Sequence, residues 1–170
     1  MSALCQQDSS CALLENAIRN SGESQAIWYA DSSLPFNVKV SGLVQKGKIY
    51  GYADTSRVYL SIKKHEAWKL DEEIRKTRPR TWGPGLFRNS RMMTADSAYY
   101  LSRKLNQEQP GQKQKPYFFF SRIVYFRNNS WAVFEFGAMY NHSAGYHYLF
   151  FCQKTATGWA PYMMVRLGAW

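Results

Sequence analysis

The last 54 residues, Tyr117 to Trp170, hold 17 of the chain's 28 aromatic residues and a single acidic one, Glu135. Each ring takes roughly 150–250 Å² out of water when buried, so a segment this rich in rings must be the largely buried part of a sheet. The segment also lacks a glycine-rich phosphate loop, a metal-ligand cluster and any signature that fixes a reaction. It therefore constrains the fold more than the chemistry.

Turn clusters at Asn128-Asn-Ser130, Asn141-His-Ser143 and Thr155-Ala-Thr-Gly158 divide it into strands near Tyr117–Arg127, Trp131–Tyr140, Gly145–Gln153 and Trp159–Leu167, a four-stranded antiparallel meander. The first strand is apolar on both faces, which suits a central strand with a helix over one side. Upstream, Lys48–Ala53 and Arg57–Lys63 flank Asp54-Thr-Ser56 as a hairpin. In its second arm Val58, Leu60 and Ile62 alternate with Arg57, Tyr59, Ser61 and Lys63, one face buried and one wet. A third strand is expected after the turn at Lys64-His-Glu66, carrying Trp68, Leu70 and Ile74. A short amphipathic helix is expected from Cys11 to Asn20, capped by Ser10, with Leu14, Ala17 and Ile18 inward; a second runs from Ala95 to Leu105, capped by Thr94.

These elements give an α+β class: a curled antiparallel sheet, formed by the C-terminal meander and the earlier hairpin, packed with two short helices. The chain reads as one domain over residues 1–170, with a polar linker at about 106–116. The order of elements is similar in outline to the cone-shaped folds of the nuclear transport factor 2 or cystatin type. That likeness rests on element order alone.

The net charge of +10 is concentrated in the middle of the chain: residues 1–38 sum to −3, 39–116 to +10 and 117–170 to +3. Arg75, Lys76, Arg78, Arg80, Arg88 and Arg91 lie within 17 residues without an acid, broken by Pro79 and Gly83-Pro-Gly85. Proline and glycine oppose both helix and central strand there, so residues 75–91 read as an exposed basic loop or edge. With Trp82 and Phe87 inside it, this loop is the expected partner-binding surface.

No run reaches the roughly 18–20 apolar residues of a membrane span. The N-terminus lacks the regions of a signal peptide, which taken literally means a cytoplasmic protein. Met1-Ser-Ala-Leu-Cys5 equally suits a chain whose leader has been removed, and Cys5 and Cys11 stand close enough to close a small loop. A periplasmic or secreted location is the expectation. Three cysteines leave one over: Cys5 pairs with Cys11, or Cys11 reaches Cys152, or all three stay reduced.

Catalytic readings are thin. Cys152 shares its strand face with Tyr146, Tyr148 and Phe150 while His147 points the other way, so a buried, inert thiol is favoured over a nucleophile. The histidines at 65, 142 and 147 show none of the paired spacings of metal ligands, and no metal or cofactor is expected. Glu135, in line with Trp131 and Val133, would be desolvated if it faced a concave sheet, a situation used by general acids and bases; the bland alternative is an edge or solvent-facing glutamate, or one paired with Arg122 or Arg127. A candidate cavity groups Trp131, Glu135, Tyr146, Tyr148 and Trp159. The expected function is a non-enzymatic binding protein, an inhibitor or immunity protein docking an acidic partner such as a secreted toxin or enzyme. A small cone-fold enzyme or ligand binder comes second and a single-stranded nucleic-acid binder third.

Overall fold

The computed structural model describes residues 9–20, 27–87, 90–94, 96–97, 100, 116–141 and 144–169. In chain order these form α1 (Ser9–Asn20), β1 (Ile27–Ala30), a 3-10 turn (Val40–Leu43), β2 (Lys48–Ala53), β3 (Ser56–Ser61), α2 (Lys64–Lys76) and β4 (Ser90–Met93). Then come β5 (Tyr117–Phe120), β6 (Val124–Phe126), β7 (Trp131–Asn141), β8 (Ala144–Thr155) and β9 (Gly158–Ala169). Nine strands make one curled, open sheet in the order β3-β2-β9-β8-β7-β5-β1-β4, with β6 also on β7. The chain is an α+β fold, as its pattern implies.

The long meander β7-β8-β9 is antiparallel and dominates the sheet. At its far side the sheet is mixed: β1 runs parallel to both β4 and β5. The expected strand Tyr117–Arg127 is two strands. Its interruption has a local cause at Ser121, whose buried hydroxyl accepts the Glu135 N–H at 2.8 Å and replaces a main-chain partner.

Residues 64–76 are helix α2, not the expected third strand. Ala67, Leu70 and Ile74 are buried at helical spacing, whereas Trp68 is 55% exposed on the outer face. The helix also accounts for Asp71, whose carboxylate accepts the Val40 N–H at 2.7 Å and the Ser41 N–H at 3.2 Å and so caps the 3-10 turn. The first helix begins at Ser9, so Ser10 lies inside it. The predicted helix 95–105 and the linker 106–116 fall almost wholly outside the described residues; within them Thr94 Oγ1 accepts the Ser97 N–H at 3.2 Å.

The sheet has a core on each face. On one, Leu13, Leu14, Ala17 and Ile18 of α1 pack with Phe118, Phe120, Phe134, Phe136 and Phe150. On the other, Ala67, Leu70 and Ile74 of α2 pack with Ile49, Leu60, Val133, Leu149, Phe151 and Met163. Strand alternation sorts the residues: Ala132, Phe134 and Phe136 go to the α1 face, and Trp131, Val133 and Glu135 to the α2 face.

Candidate functional site

The basic segment is not a uniform loop. Arg75 and Lys76 close α2, with Lys76 Nζ 2.6 Å from Glu73, and Arg91 lies on the edge strand β4. Between them the chain is pinned to β1 and the turn that follows it. Ser33 and Arg80 exchange two hydrogen bonds of 2.7 Å, the main-chain N–H of Trp82 donates to Asp31 O, and the Tyr29 hydroxyl donates to Gly83 O at 2.7 Å while accepting the main-chain N–H of Leu86. Arg75, Arg78, Arg80 and Arg91 are exposed. Among the described residues no carboxylate pairs with Arg78, Arg80 or Arg91.

Trp82 and Phe87, expected on the surface with these cations, are buried at 5% and 3% exposure. Phe87 meets Tyr29 edge-on, ring centroids 5.3 Å apart, and also packs near Phe120. The two rings are anchors of the segment rather than contact groups, because burying them recovers far more apolar area than a polar loop could shield. Arg88 lies outside the described residues.

The five residues grouped as a cavity do not come together. Trp131 and Glu135 belong to the α2 face; Tyr146, Tyr148 and Trp159 pack at the α1 face. Trp131 packs edge-on against Tyr162 at 4.9 Å, and Trp159 lies 5.5 Å from Tyr125. The period of two across β7 and β8 imposes this separation.

Glu135 is fully buried, neither at an edge nor facing solvent, and its partners are not Arg122 or Arg127. Oε1 accepts the backbone N–H groups of Asn37 and Val38 at 2.7 and 2.8 Å, and Oε2 lies 2.9 Å from His147 Nε2. In register Glu135 faces Leu149 and His147 faces Gly137, so the two are diagonal neighbours on adjacent strands. Gly137 matters to the arrangement: a Cβ there would fall 2.0 Å from the Phe119 ring, which stands edge-on to His147. Arg127 instead grips Glu66 of α2 through Nε and Nη2 at 2.6 and 3.2 Å, and this holds the Glu66 carboxyl below its ordinary range. The carboxylate of Glu135 thus ties the strap at residues 37–38 across the sheet.

Cys152 is a free, buried thiol, so the anticipated bond from Cys11 to Cys152 is not made. Burial pushes its pKa up to about 12. Cys5 lies outside the described residues, as does the side chain of Cys11, and with them any bond between the two; His142 is also outside. Among the described residues no group of three or more metal-ligating side chains converges, and no helix is long and apolar enough to cross a membrane.

Sequence reasoning missed the outer face of the β2–β3 hairpin. Tyr50, Tyr52 and Tyr59 are 37%, 48% and 47% exposed there. Lys48 Nζ sits 3.8 Å over the Tyr59 ring and Arg57 lies 5.4 Å over Tyr50. The signal was present as the wet half of the alternation, with tyrosine where a solvent-facing strand needs only polar residues. No protein-family model, curated protein or solved structure matches the chain.

Proposed function

We propose that the chain is a non-enzymatic binding protein of the inhibitor or immunity type, exported to the periplasm or beyond, that docks an acidic protein partner through its basic segment. A secreted toxin or enzyme fits that role. The observation that carries the reading is the way the cations are held: Arg78, Arg80 and Arg91 are exposed and unpaired by any described carboxylate, on a backbone fastened by Tyr29, Ser33, Trp82 and Phe87. A segment fixed before binding loses little conformational entropy on association. Its clustered charge steers an acidic partner and penalises a basic one.

The enzyme reading has less support, since the five cavity candidates divide between two faces and Cys152 is held as a buried thiol. Export is supported only by the close pair Cys5 and Cys11. The test is charge reversal at Arg78, Arg80 and Arg91, read as association with an immobilised Asp/Glu-rich peptide at low salt. Binding should fall at least about tenfold, while stability should move by no more than about 0.5 kcal/mol because the sites are exposed. Undiminished binding by the triple variant would place the interface elsewhere.

A further inference from the structure

Across the sheet from the basic segment, the β2–β3 hairpin forms the other edge. Lys48, Tyr50 and Tyr52 follow one another at spacing two on β2, and register sets them opposite Ser61, Tyr59 and Arg57 of β3, so all six side chains share one face. The opposite face of the hairpin supplies Ile49, Leu60 and Ile62 to the α2 core. The tyrosine face therefore has no part in that core.

The surface continues onto β9. Tyr52 pairs with Met164, and carrying the antiparallel register on by two residues sets the exposed Arg166 beside Tyr50. Arg166 pairs in turn with Tyr148 of β8. A row of Tyr59, Tyr50, Arg166 and Tyr148 thus crosses four strands at roughly 4.8 Å per strand. Helix α1 is tied to the start of β9, where Asn16 Nδ2 donates to Trp159 O, and leaves Arg166 near the other end of the strand exposed. The hairpin's one acid, Asp54, sits in its turn, and the face itself carries Lys48, Arg57 and Arg166 without a carboxylate. Beside it Gln45, Lys46, Tyr50, Arg57, Val58 and Tyr59 line an open depression of about 570 Å³.

We propose that this face binds single-stranded nucleic acid, with bases stacking on Tyr50, Tyr52 and Tyr59 and phosphates meeting Lys48, Arg57 and Arg166. The chemistry decides the occupant. An acidic protein could use the same rings and cations but needs no regular repeat of them, whereas this row sets a ring or a cation on each of four adjacent strands; an uncharged ligand would leave the cations idle. A single strand offers flat bases and one phosphate per step, which is what ring-and-cation sheet surfaces hold. Lys48 and Arg57 cover the faces of Tyr59 and Tyr50 in the free protein, so a stacking base takes their place and the long side chains swing aside to meet the phosphates. This site is separate from the basic segment and does not depend on the function proposed for it.

Fluorescence anisotropy of labelled 15-mers of oligo-dT and oligo-U at low salt tests it, with the duplex of equal length as the comparison. Wild-type protein should bind the single strands more tightly than the duplex, with a slope of log K against log salt near about −2 for three phosphate contacts. Tyr50→Ala and Tyr59→Ala should each weaken binding roughly 5- to 100-fold, and Tyr59→Phe should retain it, since stacking needs the ring and not the hydroxyl. Unchanged melting curves for these exposed substitutions would confirm that binding, not folding, is being read. The proposal is overturned by the absence of single-strand binding, by alanine variants that bind as wild type, by polyglutamate competing as well as the oligonucleotides, or by loss of binding on charge reversal at Arg78, Arg80 and Arg91 alone.

Discussion

Removing the buried carboxylate of Glu135 should loosen the strap that crosses the sheet at residues 37–38. Glu135→Ala deletes the acceptor of two N–H bonds of 2.7 and 2.8 Å and the 2.9 Å contact with His147. A hydrogen bond to a charged group contributes roughly 1.5–3 kcal/mol. Asn37 is exposed, so water can take over part of its N–H, whereas the Val38 donor is less accessible. The His147 side chain is only 16% exposed and Glu135 fully buried, so this contact is little screened by solvent. The expected cost is about 3–5 kcal/mol, in the range found when one partner of a buried pair is removed. For a chain of this size that lowers the melting temperature by roughly 6–20 °C.

Glu135→Gln separates geometry from charge. The amide oxygen can still accept both N–H groups, so the expected cost is only about 1–2 kcal/mol. Urea unfolding followed by circular dichroism at neutral pH measures both variants. If Glu135→Ala unfolds within about 0.5 kcal/mol of wild type, the strap is not held by this side chain. If Gln is as damaging as Ala, charge rather than acceptor geometry sets the cost and the reasoning fails.

Native Cys152 should react slowly with thiol reagents near neutral pH and rapidly once unfolded, because burial suppresses the thiolate; stoichiometric labelling of the folded protein would contradict this. Cys152 and Tyr117 are both raised in the folded state to about 12, from 9.0 and 10.0, by burial and for Tyr117 also by Asp31. Above pH 9 the unfolded chain therefore sheds protons that the folded chain keeps, so stability should fall as pH rises from 9 towards 12, by up to about 1.4 kcal/mol per pH unit for buried Cys152 and by less for Tyr117, which is partly open to solvent. Denaturation midpoints across that range check it, and Cys152→Ala should flatten the first part of the decline. Gly137→Ala should destabilise by about 1–3 kcal/mol, since the new methyl displaces the Phe119 ring; thermal melts decide it.

The meander was legible because its turns are marked by asparagine, glycine and threonine clusters and its strands by alternation, as at Trp131, Val133 and Glu135 against Ala132 and Phe134. Helix α2 was also present in principle: Ala67, Leu70 and Ile74 repeat at helical spacing, but the charged start Lys64-His-Glu66 resembles a turn. The parallel pairing of β1 was not legible, since it joins segments separated by more than sixty residues and leaves no periodic trace. The same holds for the site. Exposed arginines follow from composition and from proline and glycine, but the inward turn of Trp82 and Phe87 depends on Tyr29 and Phe120, which only the fold brings near. Likewise, the sequence isolates Glu135 as the only acid of the aromatic sheet, whereas its contact with His147 depends on the register of β7 against β8.

The central claim, a preorganised basic surface for an acidic protein, is tested most directly by mapping amide chemical shifts while an Asp/Glu-rich peptide is titrated into labelled protein at low salt. Shifts should concentrate at residues 78–87 and 90–93, saturating with peptide and fading as salt screens the charges. Arg78→Glu with Arg80→Glu and Arg91→Glu should abolish them. Shifts confined to the β2–β3 hairpin, or persisting unchanged in that triple variant, would contradict it.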